Sequence, residues 1–232
     1  MYIAYATLDN CSQAQGVAVV IDVIRAFTTA AIAFERGARE IIPVGTLEQA
    51  RALWSTRWPD ALLMGEEGGW RPEGFDFGNS PAALAAQNLR GRRLIQRTGA
   101  GTQGLVRCAQ ATTLLAASFL NASATARYLH TLNPTAVTLV STGIFPDRDG
   151  DEDLACADYI HAMLLDERPD PAAFAARVLK SDAAGLFRAA DHPAFPSADL
   201  DFCTAVDRVD FVMLVERQDD LLYMRPHTVV LP

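Results

Sequence analysis

The segment Val17–Thr29, VAVVIDVIRAFTT, constrains the fold more than any other part of the chain. It opens as an apolar run rich in β-branched residues and too short for an ordinary helix, which reads as a buried strand. Asp22 interrupts that run at its carboxyl end, Arg25 follows, and a helix pattern starts at Ala26. In open α/β sheets, ligands bind beyond the carboxyl ends of the strands. A carboxylate and a guanidinium there could hold a cation and an anion side by side. The plainer alternative is that Asp22 caps the helix and Arg25 pairs with it. A charged pair closing a buried strand is costly unless it is paired or used, which favours a functional role.

Short apolar runs alternate with helix-period segments along the rest of the chain. This predicts an α/β fold, three layers α/β/α around a mainly parallel or mixed sheet, in a single domain over residues 1–232. Strands are expected in the opening MYIAYA, at Glu40–Val44, Ala61–Gly65, Arg93–Arg97, Thr112–Ala117, Ala136–Ser141 and Val209–Val215. Residues 221–231 would pair with the last of these as a hairpin. Pro43 places its strand near a sheet edge. Gly37 ends the first helix, and Thr46 with Gln49 has capping-box spacing for a second. Ser80-Pro81 starts another helix, Asn121 caps one reaching about Leu132, and Asp151 opens one through about Asp166. Short helices fill 169–201.

Composition narrows the partners. With 28 acidic and 20 basic residues the net charge is −8, which disfavours nucleic acid and anionic membrane surfaces. Cys11, Cys108, Cys156 and Cys203 show no CxxC spacing, which argues against zinc and for reduced thiols in a cytoplasmic protein. The first residues lack a basic start and read as a strand rather than a signal peptide. No apolar run is long enough to span a bilayer. A homodimer is compatible with such a chain, although no stretch marks an interface.

Four loops follow predicted strands: Asp22 to Arg25, Glu66 to Ser80, Arg97 to Gly104 and Ser141 to Asp153. A parallel sheet would gather all four at one edge. They carry the carboxylates Asp22, Glu66, Glu67, Asp76, Glu152 and Asp153, the bases Arg25 and Arg97, and the polar groups Asn79, Ser80, Thr98 and Thr102. Oxygen ligands without neighbouring Cys or His suit a hard ion such as Mg²⁺. Arg25, Arg97 and the glycine-rich backbone around Gly101 suit a phosphate or a second acidic group. Together they describe metal-assisted chemistry on a small phosphate ester. Gly99, Gly101 and Gly104 have dinucleotide-fingerprint spacing, but the acid downstream is absent and so is the Lys-Ser/Thr ending of a P-loop. In GFDFGNSP, rings flank Asp76 and a helix N-terminus follows Asn79 and Ser80, an arrangement that holds polar groups rigidly near an anion. The alternative there is an Asx-type turn.

The motifs VVIDVIRAFTT (19–29), MGEEGGWRPEGFDFGNSP (64–81), SFLNASA (118–124), EDLACA (152–157) and VDRVDFV (206–212) resemble, in order, those of the 2-phosphosulfolactate phosphatase family, associated with coenzyme M biosynthesis. The resemblance implies a three-layer α/β fold and Mg²⁺-dependent hydrolysis of the phosphate monoester of a small 2-hydroxy acid. By matching position it makes Asp22, Arg25, Glu66, Asp76, Asn79, Ser80, Glu152 and Asp153 active-site candidates; of these Asp22, Arg25 and Asp76 are expected to be catalytic, with metal ligands among Asp22, Glu66, Asp76, Glu152 and Asp153. Arg25, Asn79, Ser80, Arg97, Thr98, Gly101 and Thr102 become candidates for substrate binding. The chain departs from the family pattern at Glu67, usually Arg, and at Ala100, usually Asn. Arg97 is expected to compensate for the cation missing at position 67. A small-anion binding protein that kept the fold and lost catalysis is the alternative function.

Overall fold

The computed structural model describes residues 1–145, 148–188 and 192–228. In chain order the elements are β1 (Tyr2–Thr7), β2 (Gly16–Ile21), α1 (Ala26–Glu35), β3 (Glu40–Val44), α2 (Leu47–Thr56), β4 (Leu62–Gly65), α3 (Pro81–Ala85), β5 (Arg93–Arg97), α4 (Gly101–Arg107), β6 (Ala111–Ala117), α5 (Ala122–Leu132), β7 (Ala136–Ser141), α6 (Asp151–Leu164), α7 (Pro171–Lys180), α8 (Asp182–Arg188), α9 (Ala198–Cys203), β8 (Phe211–Gln218) and β9 (Leu221–Thr228). The end of the expected tail strand, 229–231, and residues 146–147 of the loop after β7 lie outside the described residues.

The strands form one nine-stranded mixed sheet, ordered β1-β7-β2-β6-β8-β9-β3-β5-β4. Two parallel blocks, β1-β7-β2-β6 and β3-β5-β4, are joined by the antiparallel β8–β9 hairpin. Because β6 opposes β8, β8 opposes β9 and β9 opposes β3, the second block runs against the first. The expected gathering of loops at one edge of a parallel sheet therefore has a different cause. Six interstrand steps separate β2 from β4, and at roughly 20–25° each they accumulate about 120–150° of twist. That turns the reversed block back towards the direction of the first, so their carboxyl ends meet.

Alternating side chains explain the three layers. Ala18 and Val20 of β2 share one core with Ile41, Met64 and Leu94 of the second block, around Phe27, Ala30 and Ala31 of α1 and Leu105 of α4. Val17, Val19 and Ile21 face the other way, against Ala126 and Leu129 of α5 and Ala157 and Ile160 of α6. The outer face of the second block, with Ile42, Val44, Leu63 and Ile95, is covered by α2 through Ala50. The strand β2 is thus buried on both sides, which is why it reads as an unbroken apolar run.

Three local expectations are corrected. Pro43 lies on an interior strand: β3 sits between β9 and β5, and β4 is the edge. The β3–β9 register has only the Ile41–Met224 pair, so the missing Pro43 N–H is not required for that ladder. The Asn121 side chain accepts from Ser118 N and closes the turn before α5 rather than capping α5 itself. The apolar, helix-like run around Cys108 predicts that it lies inside a helix, yet it follows α4; all four cysteines are free and buried. Among the described residues, no helix is long and apolar enough to cross a membrane.

Candidate active site

A cavity of about 660 Å³ opens where the two blocks converge. Its lining joins Asp22, Arg25, Glu66, Asn79 and the backbone of Gly99 and Ala100 to the apolar Ile24, Leu186, Phe187 and Phe195 and to the charged Arg148 and Asp182. The loop after β2 supplies Asp22 and Arg25, the loop after β4 supplies Glu66 and Asn79, and the β5–α4 turn supplies Gly99 and Ala100.

Asp22 is 5% exposed and sits between two helix starts. Its Oδ1 accepts from Ala26 N at 2.9 Å, and the start of α4 packs against its carboxylate at Gly101. Gly101 is required there because an added Cβ would lie 2.7 Å from Ala26 Cβ and 2.8 Å from Asp22 Oδ2. Glu66 bridges two loops by accepting from Gly69 N and Gly99 N.

Behind Asp22 lie two acids from the first turn of α6. Glu152 and Asp153 are 2% and 1% exposed, whereas their neighbour Asp151 pairs with Arg177. Asp153 accepts from Val23 N at 2.8 Å, Thr142 N at 2.9 Å and Gly143 N at 2.7 Å, tying the end of β2 to the end of β7. Glu152 Oε2 is buried with no hydrogen-bond partner. Gly143 leaves room for this acid, since a Cβ there would stand 2.5 Å from Glu152 Oε1.

The acids repel one another. Burial, and then the charge of Glu66, push Asp22 up to about 6. Burial and the charge of Asp22 push Glu152 up to about 7. Asp153 is raised well above the ordinary carboxylate range by burial and by Glu152 and Asp22 together. A nearby divalent cation would remove this repulsion, and the unpartnered Glu152 oxygen is a hard donor of the kind Mg²⁺ takes. Among the described residues, no three His, Cys, Asp or Glu side chains make a ready-made metal cage. Mg²⁺ does not need one, because it commonly takes one or two carboxylates and completes its shell with water and phosphate oxygens. The residues present fit such an ion.

Arg25 is also buried, at 5% exposure. Its Nη1 donates to Asp199 Oδ2 at 2.7 Å and to Ala194 O at 2.8 Å, and its guanidinium lies 4.9 Å and 5.4 Å from the ring centres of Phe187 and Phe195. Asp22 and Arg25 therefore do not form the simple mutual pair considered from sequence; the direct partner of Arg25 is Asp199. Asn79, 6% exposed, lines the cavity with a buried Oδ1 that has no partner.

Other candidates serve the scaffold. Asp76 is exposed, and its carboxylate accepts from Leu63 N at 2.8 Å, pinning the long loop onto β4 away from the cavity lining. The flanking rings in GFDFGNSP thus accompany a bond to β4, thirteen residues back, rather than an Asx-type turn. Ser80 caps α3 by accepting from Ala83 N and donates to Asp199. Thr98 and Thr102 are buried and bond each other's backbone, which locks the β5–α4 turn. Arg97 donates to Glu66 O and pairs with Glu67 at 3.5 Å, outside the cavity lining. It offsets the acid at position 67 directly and does not face an anion in its place.

Asp199, Phe187 and Phe195 escape a sequence reading. Asp199 looks like Asp201 two positions later on the same short helix, yet Asp199 is fully buried and Asp201 exposed. No local pattern separates them.

Comparison with known proteins adds the family. Residues 3–218 match the family model described as 2-phosphosulpholactate phosphatase. A protein of Bacillus subtilis named probable 2-phosphosulfolactate phosphatase is 38% identical over 206 residues, 88% of each chain. A protein of Synechococcus sp. strain RCC307 with the same name is 36% identical, covering 84% of this chain and 87% of its own. The motifs, the three-layer fold and matches over nearly the whole length agree, and the chain belongs to the 2-phosphosulfolactate phosphatase family.

Proposed function

We propose that this protein is a Mg²⁺-dependent phosphatase that hydrolyses the phosphate monoester of a small 2-hydroxy acid, 2-phosphosulfolactate or a related phospho-hydroxycarboxylate. The observation that carries the reading is the meeting of Asp22, Glu66 and a rigidly held Arg25 in one cavity, with the buried Glu152 close enough to Asp22 for their charges to repel. The names of the relatives at 36–38% identity support the phosphatase class.

Asp22 and Glu152 would hold the metal, which when bound supplies neutralisation of phosphate charge and polarisation of an oxygen. Asp153 keeps the loops carrying both acids together through its three backbone bonds. Arg25 binds and orients the phosphate, as a guanidinium does with two parallel donors. The Asn79 amide faces the same space and hydrogen-bonds the ester or the acid group of the substrate. The apolar side chains Ile24, Leu186, Phe187 and Phe195 would exclude water from their part of the cavity, which strengthens these interactions.

Phosphate release from phosphosulfolactate, phospholactate and phosphoglycolate, with Mg²⁺ and with chelator, tests this. Release that disappears with chelator is expected. A folded protein that binds phosphate but releases none from any ester would instead be the anion-binding protein.

A further inference from the structure

We propose that Asp199 is a positioning residue that sets the anion-binding geometry of the site by holding Arg25 on one side and the Asn79–Ser80 corner on the other. The inference rests on the proposed phosphate-binding role of Arg25 and extends it to a residue from a different part of the fold.

The geometry is specific. Asp199 is fully buried on α9, far in sequence from both loops it joins. Its Oδ2 accepts from Arg25 Nη1 at 2.7 Å. Its Oδ1 accepts from Ser80 Oγ at 2.7 Å and from Ala82 N at 3.1 Å. One carboxylate thus fixes the loop after β2 against the first turn of α3, and the residue just before that turn, Asn79, lines the cavity.

Arg25 is over-determined as a result. Asp199 and Ala194 O both take Nη1, and Phe187 and Phe195 lie against the guanidinium. An arginine ordinarily has substantial rotamer freedom to lose on binding an anion. Here that freedom is removed before the anion arrives, and a single pre-set orientation costs less on binding. A buried pair is weak evidence of net stability, because desolvation offsets its attraction. Orientation is the better account of a carboxylate that also organises the Asn79–Ser80 corner.

Charge neutralisation of a buried arginine is the competing explanation; Asp199→Glu, which keeps the charge but displaces the carboxylate, separates the two, and a double-mutant cycle tests whether the effect runs through Arg25. The proteins are wild type, Asp199→Glu, Asp199→Asn, Arg25→Gln and the double variant of the last two, each checked for folding by circular dichroism. The readouts are KM and kcat for phosphate release and the affinity for inorganic phosphate. Asp199→Asn keeps the size and an acceptor for the α3 turn but turns an amide towards Arg25. Its KM and phosphate dissociation constant are expected to rise about ten- to a hundredfold, the size of a lost bond to a charged group. In the Arg25→Gln background, Asp199→Asn should add no further loss. Asp199→Glu should weaken phosphate in the same way, and it decides the matter should Asp199→Asn fail to fold.

Unchanged phosphate affinity in Asp199→Asn or Asp199→Glu, or losses that multiply in the double variant, overturns the proposal. If wild type binds phosphate but hydrolyses no ester, the phosphatase reading fails while the cycle on phosphate affinity still decides the role of Asp199. If wild type neither hydrolyses esters nor binds phosphate, both fall.

Discussion

At the residue scale, the site depends on close approaches that leave no slack. Gly101 brings the α4 backbone against Asp22, and the Cβ of Gly101→Ala would stand 2.7 Å from Ala26 Cβ and 2.8 Å from Asp22 Oδ2, so these groups must shift. Displacing a reacting group by about 1 Å costs roughly a hundredfold in rate. Steady-state assays of Gly101→Ala should show a loss of about that size in kcat/KM; near-normal turnover would mean that Asp22 is not held to its task by this glycine. Asp22→Asn should abolish turnover, because it removes the negative charge of a proposed metal ligand and half of the charge relation with Glu152. The burial of Asp22 and Arg25 could be argued from their place at the end of an apolar run. The different fates of Asp199 and Asp201, or of Asp76 and Glu66, could not. Each of those choices depends on which backbone groups arrive from distant segments.

At the element scale, turns do the positioning. The β5–α4 turn is locked by Thr98 and Thr102, with Thr98 N donating to Thr102 Oγ1 at 2.9 Å in a buried setting. Thr102→Val keeps the shape and leaves that N–H without a partner, which costs about 1–3 kcal/mol. Urea unfolding should record the loss, and an unchanged midpoint would mean the turn has another source of order. Local chemistry made most elements readable in advance. Thr46 caps α2 and Ser80-Pro81 starts α3 as their spacing implies, and β5 and β7 occupy the residues expected. The edge position expected for β3 failed because proline reports only on its own N–H. Whether a neighbouring strand needs that N–H is a property of the ladder, and here the ladder stops short.

At the scale of the whole molecule, one core joins both parallel blocks through α1. Unfolding should therefore be a single cooperative transition, with near- and far-ultraviolet circular dichroism coincident; two separated transitions would mean that the blocks fold independently. The acids also give the molecule a pH dependence. Folding raises Asp22 to about 6 and Glu152 to about 7, above the ordinary carboxylate values of an unfolded chain. Between those limits the folded state binds more protons, so their contribution to stability is fully present at low pH and is lost as pH rises through 6 to 7. Metal-stripped protein should accordingly show a melting temperature that these groups pull down between pH 5 and 8. On the proposed function, Mg²⁺ should reverse that pull at the upper end, since it would bind the deprotonated folded site. The double variant Asp22→Asn, Glu152→Gln should flatten both effects; an unaltered pH slope would refute the assignment.

The alternation of apolar runs, the burial of Val17–Ile21, the helix starts and the motif residues around Asp22, Glu66, Asn79 and Glu152 all follow from the order of amino acids. These are local properties, set by side-chain periodicity and turn chemistry within a few residues. Only the tertiary structure decided that the second block runs backwards, that accumulated twist returns its loops to the first, and that Arg25 takes Asp199 as its partner. Strand order and direction depend on pairings between segments far apart in the chain, and a lone aspartate on a short helix carries no mark of the arginine it will meet.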